Sequence, residues 1–144
     1  MKAIDVAHYI VYKCIADECP ITNLTLQKLL FLIQCESLKR KGKKLFPDDF
    51  EAWRFGPCIP NVYYAFCHYG GMPIICAEKV EIKFPVLDKT VIDRLIEQKR
   101  GLPPWELVRD AQRTGGAWDI VYQNGTDKKK VIAKGLMKVR RMTK

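Results

Sequence analysis

Six cysteines and two histidines are the side chains of this sequence best suited to nucleophilic or metal chemistry. The cysteines occupy positions 14, 19, 35, 58, 67 and 76, and no two of them have the C-x-x-C spacing of a zinc or redox motif. Only tertiary contacts could assemble a metal site from Cys67, His68 and His8. We therefore predict no metal, no cofactor, and reduced, mostly buried thiols that behave as small apolar groups.

Covalent catalysis needs a nucleophile beside a base, with a third group that orients the base. Cys67 and His68 are neighbours in the sequence, but on a helix their side chains point in different directions. Asp48-Asp49, Asp88 and Asp93 are better explained as loop and capping residues than as an acid–base pair, and the chain has no glycine-rich phosphate loop. We predict no catalytic residues and no enzyme; the alternative is an activity that depends on Cys67 and His68.

The net charge of +9 is concentrated in one segment. All 16 acidic residues lie in 1–127, whereas the last 17 residues hold eight basic ones and no acid. These are Lys128, Lys129, Lys130, Lys134, Lys138, Arg140, Arg141 and Lys144. Such a segment can bind nucleic-acid phosphates through counterion release, or steer an acidic protein partner.

The elements that position these residues are mostly helical. A chain of 144 residues has the length and the 48% apolar content of one globular domain. We predict a mainly α (α+β) fold, a compact single-domain helical bundle with a small antiparallel β-hairpin. Predicted helices cover 3–18, 22–42, 60–69, 89–100 (capped by Asp88), 104–113, 117–123 and a basic C-terminal helix of about 127–141; predicted strands cover 50–55 and 79–84, which we expect to pair.

The second helix carries the clearest pattern. Thr22 or Asn23 can cap its start, and Gly42 suits the left-handed residue that follows its end. Apolar residues occupy more than one face, so we expect this helix at the centre of the domain. The longest apolar runs are far shorter than a membrane span, and the N-terminus has no signal-peptide pattern, so we expect no membrane association and a cytoplasmic location.

The segment 53–70, "WRFGPCIPNVYYAFCHYG", is rich in aromatic residues and nearly uncharged. Helical spacing favours a core position for Trp53, Val62 and Phe66. Tyr64 points away from that face, and Tyr and Arg are frequent in protein interfaces. We therefore predict that Arg54, Tyr63 and Tyr64 contact a partner, and that Lys134 and Lys138 assist on the basic segment.

Several segments resemble the Panacea domain of SocA-like antitoxins, a family that includes phage-associated GepA-like proteins. They are "NLTLQKLLFLIQ" (23–34), "KKLFPDDFEAWRFGPCIPNVYYAF" (43–66), "YGG" (69–71) and "WELVRDAQRTGGAWDIVYQNG" (105–125). The residues that carry the resemblance are Leu26, Gln27, Lys28, Leu29, Trp53, Gly56, Pro57, Pro60, Phe66, Gly70 and Trp118. Family members commonly have a Thr/Ser-His pair before the tryptophan, where this chain has Ala111-Gln112; any shared polar role of that histidine is absent here.

The resemblance implies a compact, mainly helical domain that neutralises a cognate toxin by binding it. Neutralisation would occur by covering the toxin or by delivering it to a protease. The alternative is a phage-associated accessory protein that binds DNA through Lys128, Lys129, Lys130, Arg140 and Arg141.

Overall fold

The computed structural model describes residues 1–103, 106, 131, 132, 134 and 137. Within them the fold is mainly helical with one small sheet, as predicted. The elements, in chain order, are α1 (Ala3–Ala16), α2 (Asn23–Lys41), β1 (Phe50–Trp53), β2 (Gly56–Cys58), α3 (Pro60–Ala65), a 3₁₀ turn (Cys67–Tyr69), α4 (Val86–Lys99) and β3 (Val131–Ile132).

Helix α2 lies at the centre and contacts α1, α3, α4 and β2. The Thr22 side chain accepts a hydrogen bond from the Thr25 N–H, and Gly42 follows the helix with a left-handed φ of 70°. Both ends were predicted correctly. The helix is buried on nearly all sides, polar positions included, so its polar side chains must find partners inside the protein.

The sheet is antiparallel, with strand order β2-β1-β3. Strands β1 and β2 form a tight hairpin in which Glu51 pairs with Cys58 and Trp53 pairs with Gly56. The prediction that 50–55 pairs with 79–84 is wrong, because β1 pairs with β2 and β3 instead. Pro57 lies in β2 at the edge of the sheet, where its missing N–H is tolerated.

The segment 79–84 lies outside the described strands, although its side chains alternate as predicted. Val80, Ile82 and Phe84 are half-buried, and the residues between them are exposed. The Phe84 ring packs edge-on against Tyr9 of α1, with ring centroids 5.3 Å apart. The alternation therefore reflects packing of an extended chain on a helix.

The predicted C-terminal helix of about 127–141 is corrected at its centre. Val131 and Ile132 form β3, and Ile132 pairs with Phe50. Ile132 is buried and Val131 is exposed, the alternation of a strand on a one-sided sheet. Residues 134 and 137 are helical; the rest of this predicted helix, and the predicted helices 104–113 and 117–123 apart from helical Glu106, lie outside the described residues.

Asp88 joins α4 to α2. It was predicted to cap a helix at 89–100, but α4 begins at Val86 and the carboxylate is used elsewhere. Asp88 is only 5% exposed, and it accepts hydrogen bonds from Arg40 at 2.7 Å and from Lys41 at 2.6 Å. The bonds from Lys41 and Arg40 hold the pKa of Asp88 below its usual range.

We expect Asp88→Asn to lower the free energy of unfolding by about 2 kcal/mol at pH 7, because the substitution removes two charge-assisted hydrogen bonds from a buried site. The lowered pKa means that this contribution is present above the unfolded pKa of about 4 and is lost as the pH falls through the folded pKa. Chemical denaturation should therefore show a gap between wild type and variant that closes at low pH. Glu81→Gln, which alters an exposed carboxylate, is the matched control, and an equal loss there would contradict the assignment.

Candidate partner-binding site

Two buried amides of α2 fix the backbone where β2 leads into α3. The Gln27 Oε1 accepts a hydrogen bond from the Ile59 N–H at 2.9 Å, and its Nε2 donates to the Asn23 Oδ1 at 3.1 Å. Asn23 in turn donates from Nδ2 to the Tyr63 carbonyl at 3.0 Å. This chain of bonds ties α3 to the first turns of α2, so the side chains of α3 have a defined orientation.

Lys28 is buried in the same helix and is only 1% exposed. Its Nζ donates to the Pro57 carbonyl at 3.2 Å and lies 5.3 Å from the centroid of the Phe55 ring. Removal from water lowers the pKa of Lys28 to about 7, and ionisation of the neighbouring Cys58 thiol would oppose this shift. No carboxylate of the described residues forms a salt bridge with Lys28. Burial is therefore the main cause of its lowered pKa.

Gly56 allows the hairpin to approach this lysine. Its φ is +121°, which side-chain-bearing residues rarely adopt, and a Cβ placed there would lie 2.5 Å from the Lys28 Nζ. Pro60 follows as the first residue of α3, where its missing N–H costs no helical hydrogen bond. The motifs L-Q-K-L and W-x-x-G-P therefore contact each other in the fold. Gln27 and Lys28 bind the backbone of β2 and the residue after it, and the missing side chain of Gly56 leaves room for the Lys28 amine.

Four aromatic rings lie above this contact, and we call them the aromatic face: Trp53, Phe55, Tyr63 and Tyr64. Phe55 stacks on Tyr63 with centroids 5.7 Å apart, and Trp53 meets Tyr63 edge-on at 5.2 Å. Tyr64 packs against Tyr63 at 5.6 Å and Trp53 at 6.1 Å. The Trp53 Nε1 donates to the Glu51 carboxylate at 2.8 Å. Such mutual packing holds the rings rigid, which reduces the entropy cost of binding a partner.

The aromatic face runs from the core to the surface. Trp53 is 6% exposed and Tyr64 is 58% exposed, while Phe55 and Tyr63 are half-buried. Arg54, at the hairpin turn, is exposed as well. An ordered aromatic cluster with a buried base and an exposed rim is typical of a protein-binding surface.

Comparisons with known proteins show the family of this chain. Residues 26–119 match the family model described as "Antitoxin SocA-like, Panacea domain", a match that spans most of α2 and all of the hairpin, α3 and α4. The chain belongs to the SocA-like Panacea family. It is also 35% identical over 127 residues to Antitoxin SocA of Caulobacter vibrioides (strain NA1000 / CB15N), a match that covers 81% of this chain and 68% of that protein. No solved structure shows a significant match.

Most residues that carried the resemblance hold this Panacea domain together. Among those that the structure describes, Leu26 and Leu29 are fully buried, Trp53 and Phe66 lie in the interior, and Gly70 ends the 3₁₀ turn with a φ of 58°. The predicted core positions Trp53, Val62 and Phe66 are confirmed. Trp118, and the Ala111-Gln112 departure from the family pattern, lie outside the described residues.

The predicted basic contacts have different outcomes. The Lys134 Nζ lies 2.8 Å from the Asp49 carboxylate and donates to the Pro47 carbonyl at 3.3 Å, so its charge is used within this Panacea domain. The other basic candidates, Lys128, Lys129, Lys130, Lys138, Arg140 and Arg141, lie outside the described residues. Their proposed roles, in partner steering or in DNA binding, stay predictions.

The thiols of this Panacea domain are less buried than predicted. Cys14, Cys35 and Cys58 are buried, Cys19 is half-buried, and Cys67 and Cys76 are exposed. The His8 Nδ1 accepts a hydrogen bond from the Glu78 N–H at 3.2 Å, and His68 packs on Tyr69. Among the described residues no three His, Cys, Asp or Glu side chains are grouped as metal ligands, and no helix there is long and apolar enough to cross a membrane.

Sequence reasoning missed the buried polar side chains of α2 as a group. Asn23, Gln27 and Gln34 recur at intervals of four and seven residues, so they lie near one line along the helix. Gln34 also binds a loop backbone: its Oε1 accepts from the Leu45 N–H at 2.8 Å and its Nε2 donates to the Phe46 carbonyl at 2.8 Å. The helical spacing of these three amides, within a helix rich in apolar residues, was the sequence pattern that could have predicted their burial.

Proposed function

We propose that this protein is an antitoxin that neutralises a cognate toxin by direct binding, with the aromatic face as the contact surface. The observation that carries the proposal is the 35% identity to Antitoxin SocA over most of both chains. The aromatic face supports it, because the segment that shares the family pattern also presents an ordered, partly exposed aromatic surface. The protein would act by binding rather than by catalysis.

The proposed contacts are Arg54, Tyr63 and Tyr64. Tyr64 offers the largest exposed area of the three rings that reach the rim, and a rigid tyrosine loses little side-chain entropy on binding. Arg54 lies beside the rings at the hairpin turn and can add charge-assisted hydrogen bonds to an acidic group of the toxin. Lys138 and the other C-terminal lysines would add long-range steering towards an acidic partner.

Co-expression with the product of the adjacent gene tests the proposal. We expect that product to inhibit growth when produced alone, to be tolerated when this protein is present, and to co-purify with it. A neighbour that is harmless alone and does not co-purify would argue strongly against an antitoxin. If instead the purified protein binds duplex DNA with a steep salt dependence that is lost on removal of 128–144, the DNA-binding alternative would be supported.

The manner of neutralisation needs a second measurement. Mixing the two purified proteins without a protease tests occlusion, because covering the toxin's active surface inhibits it at once. Delivery to a protease predicts no inhibition in that mixture, but a shorter toxin half-life in cells that contain this protein. The aromatic face would be required in both cases.

We expect Tyr64→Ala to weaken toxin binding about 30-fold, since loss of a tyrosine that is a hot spot of an interface typically costs about 2 kcal/mol. Tyr12→Ala is the matched control, because Tyr12 is an exposed tyrosine on α1 and outside the aromatic face. Isothermal titration calorimetry measures the affinity, and thermal unfolding shows whether both variants are folded. Equal affinities of the two folded variants would remove Tyr64 from the interface.

A further inference from the structure

The C-terminal end of α1 brings two cysteines together. Glu18 has a left-handed φ of 59°. Its N–H donates to the Ile15 carbonyl at 3.0 Å, and the Cys19 N–H donates to the Cys14 carbonyl at 2.7 Å. These two bonds define a Schellman motif, which is frequently accompanied by a contact between the side chains of its first and last residues. In this motif those residues are Cys14 and Cys19.

The separation suits a disulfide. Because a direct backbone hydrogen bond of 2.7 Å joins the two residues, their Cα atoms lie near the separation of roughly 4.4–6.8 Å that a disulfide spans. The Arg100 Nη1 also lies 4.0 Å from the Cys14 Sγ. The two thiols and the guanidinium therefore form one cluster.

The surroundings give the two thiols different roles. Cys19 is half-buried and accessible to a small oxidant, whereas Cys14 is fully buried. Burial raises the pKa of the Cys14 thiol, although Arg100 opposes this effect. The Arg100 Nη1 lies 4.0 Å from the Cys14 Sγ and 2.7 Å from the Asp17 carboxylate. Arg100 is thus held where it can stabilise negative charge on the Cys14 sulfur as that thiol reacts.

We propose that Cys14 and Cys19 form a peroxide-oxidisable dithiol site at the end of α1, in which Cys19 reacts first and Cys14 closes the disulfide. The Cys19 thiolate attacks one oxygen of hydrogen peroxide, the O–O bond breaks, and a sulfenic acid and hydroxide result. The Cys14 sulfur then attacks the Cys19 sulfur, the S–O bond breaks, and water leaves with the Cys14 proton. The hydroxide takes up the proton that Cys19 released when it formed the thiolate, so two thiols lose two electrons in total and one peroxide becomes two water molecules.

The sequence allows a direct chemical assay. Lys13 and Lys28 bracket both cysteines, so one tryptic peptide contains the pair and would lose two hydrogen atoms in mass on oxidation. Glu18 lies between them, so additional cleavage after Glu18 gives two fragments that stay together only through a disulfide. The reduced, full-length protein is treated with hydrogen peroxide, remaining thiols are alkylated, and the peptides are identified by mass spectrometry.

We expect the Cys14–Cys19 link in the wild type and in a Cys67→Ser/Cys76→Ser double variant, which removes the two exposed thiols. Cys19→Ser should abolish the link and leave Cys14 alkylatable after unfolding. A link between other cysteines while Cys14 and Cys19 stay reduced would overturn the proposal. Oxidation of Cys19 to sulfinic acid without a link would overturn it equally.

The role of Arg100 has a separate readout. In Arg100→Met we expect the disulfide to close about tenfold more slowly, since one charge-assisted contact to the forming thiolate is lost. The Cys19 sulfenic acid should accumulate and be trapped by dimedone. Lys13→Met is the matched control, because Lys13 also pairs with Asp17, at 3.1 Å, but closure should keep its wild-type rate there. Unchanged closure in Arg100→Met would remove Arg100 from the site.

Discussion

Gly56→Ala is expected to lower the free energy of unfolding by about 3 kcal/mol, through backbone strain and overpacking together. The φ of +121° is unfavourable for any residue with a side chain, and the new Cβ would lie 2.5 Å from the Nζ and 2.7 Å from the Cε of Lys28. A lysine end can normally move away from such a contact. Here it is 1% exposed and bonded to the Pro57 carbonyl, so it has little room to do so.

Gly71→Ala is the matched control, because nothing lies within 4 Å of a Cβ at that exposed glycine. We expect Gly71→Ala to change stability by less than about 0.5 kcal/mol. Chemical denaturation measures the free energy of unfolding of both glycine variants, of Lys28→Met and of a Gly56→Ala/Lys28→Met double variant. In the double variant the removed Nζ should relieve part of the cost, which would appear as a coupling energy. Equal stability of the two glycine variants would show that the hairpin tolerates a side chain at 56.

The centre of this fold could be predicted from sequence because its signals are local. The two ends of α2 depend on Thr22 and on Gly42, residues whose capping roles follow from their own chemistry. The burial of Val62 in α3, and of Phe66 directly after that helix, likewise follows from their spacing of four residues. Fold class, the existence of α2, and the division of segment 53–70 into core and surface were therefore accessible from the sequence.

The pairing of β1 with β3 was not accessible, because it depends on which distant segment reaches the sheet edge. The alternation in 79–84 correctly indicated which side chains face inward, but it cannot tell a paired strand from an extended chain packed on a helix. Val131 and Ile132 form β3 through contact with β1, about 80 residues earlier in the chain. Two residues carry too little periodicity to oppose a helical prediction for the region around them.

The candidate site shows the same division. Tyr64 could be placed at the surface from helical spacing alone. The burial of Lys28 could not be foreseen, because lysine is among the residues least often buried, and because the space that holds its amine is made by Gly56 and Pro57 from another element. Sequence identified both halves of this contact as family residues, and only the structure showed that they touch.

Lys28→Met is expected to stabilise the protein at pH 7 and to change how its stability depends on pH. A buried amine with no carboxylate partner among the described residues costs desolvation energy whenever it is charged. Methionine fills most of the same volume without that cost, and loses the hydrogen bond to the Pro57 carbonyl and the contact between the amine and the Phe55 ring. We expect a gain of about 1–3 kcal/mol in the free energy of unfolding at pH 7.

The sign of the pH dependence follows from the pKa of Lys28, about 7 in the folded protein against an ordinary value of 10.5. Between these values the unfolded chain holds a proton that the folded protein lacks, so wild-type stability rises with pH across the window. The advantage of Lys28→Met should therefore shrink by about 1 kcal/mol for each pH unit between pH 7 and pH 9. Below pH 7 both states of the wild type are protonated and the advantage should level off.

Chemical denaturation at several pH values measures this window, and comparison with wild type at each pH cancels the titration of other groups. Lys39→Met, which removes an exposed lysine from the same helix, should leave the wild-type slope intact. A constant difference between Lys28→Met and wild type from pH 7 to pH 9 would mean that Lys28 keeps its proton in the folded state. The amine beneath the aromatic face would then need an anionic partner or a water path, because a charged, fully buried ammonium with one carbonyl ligand is otherwise too costly to persist.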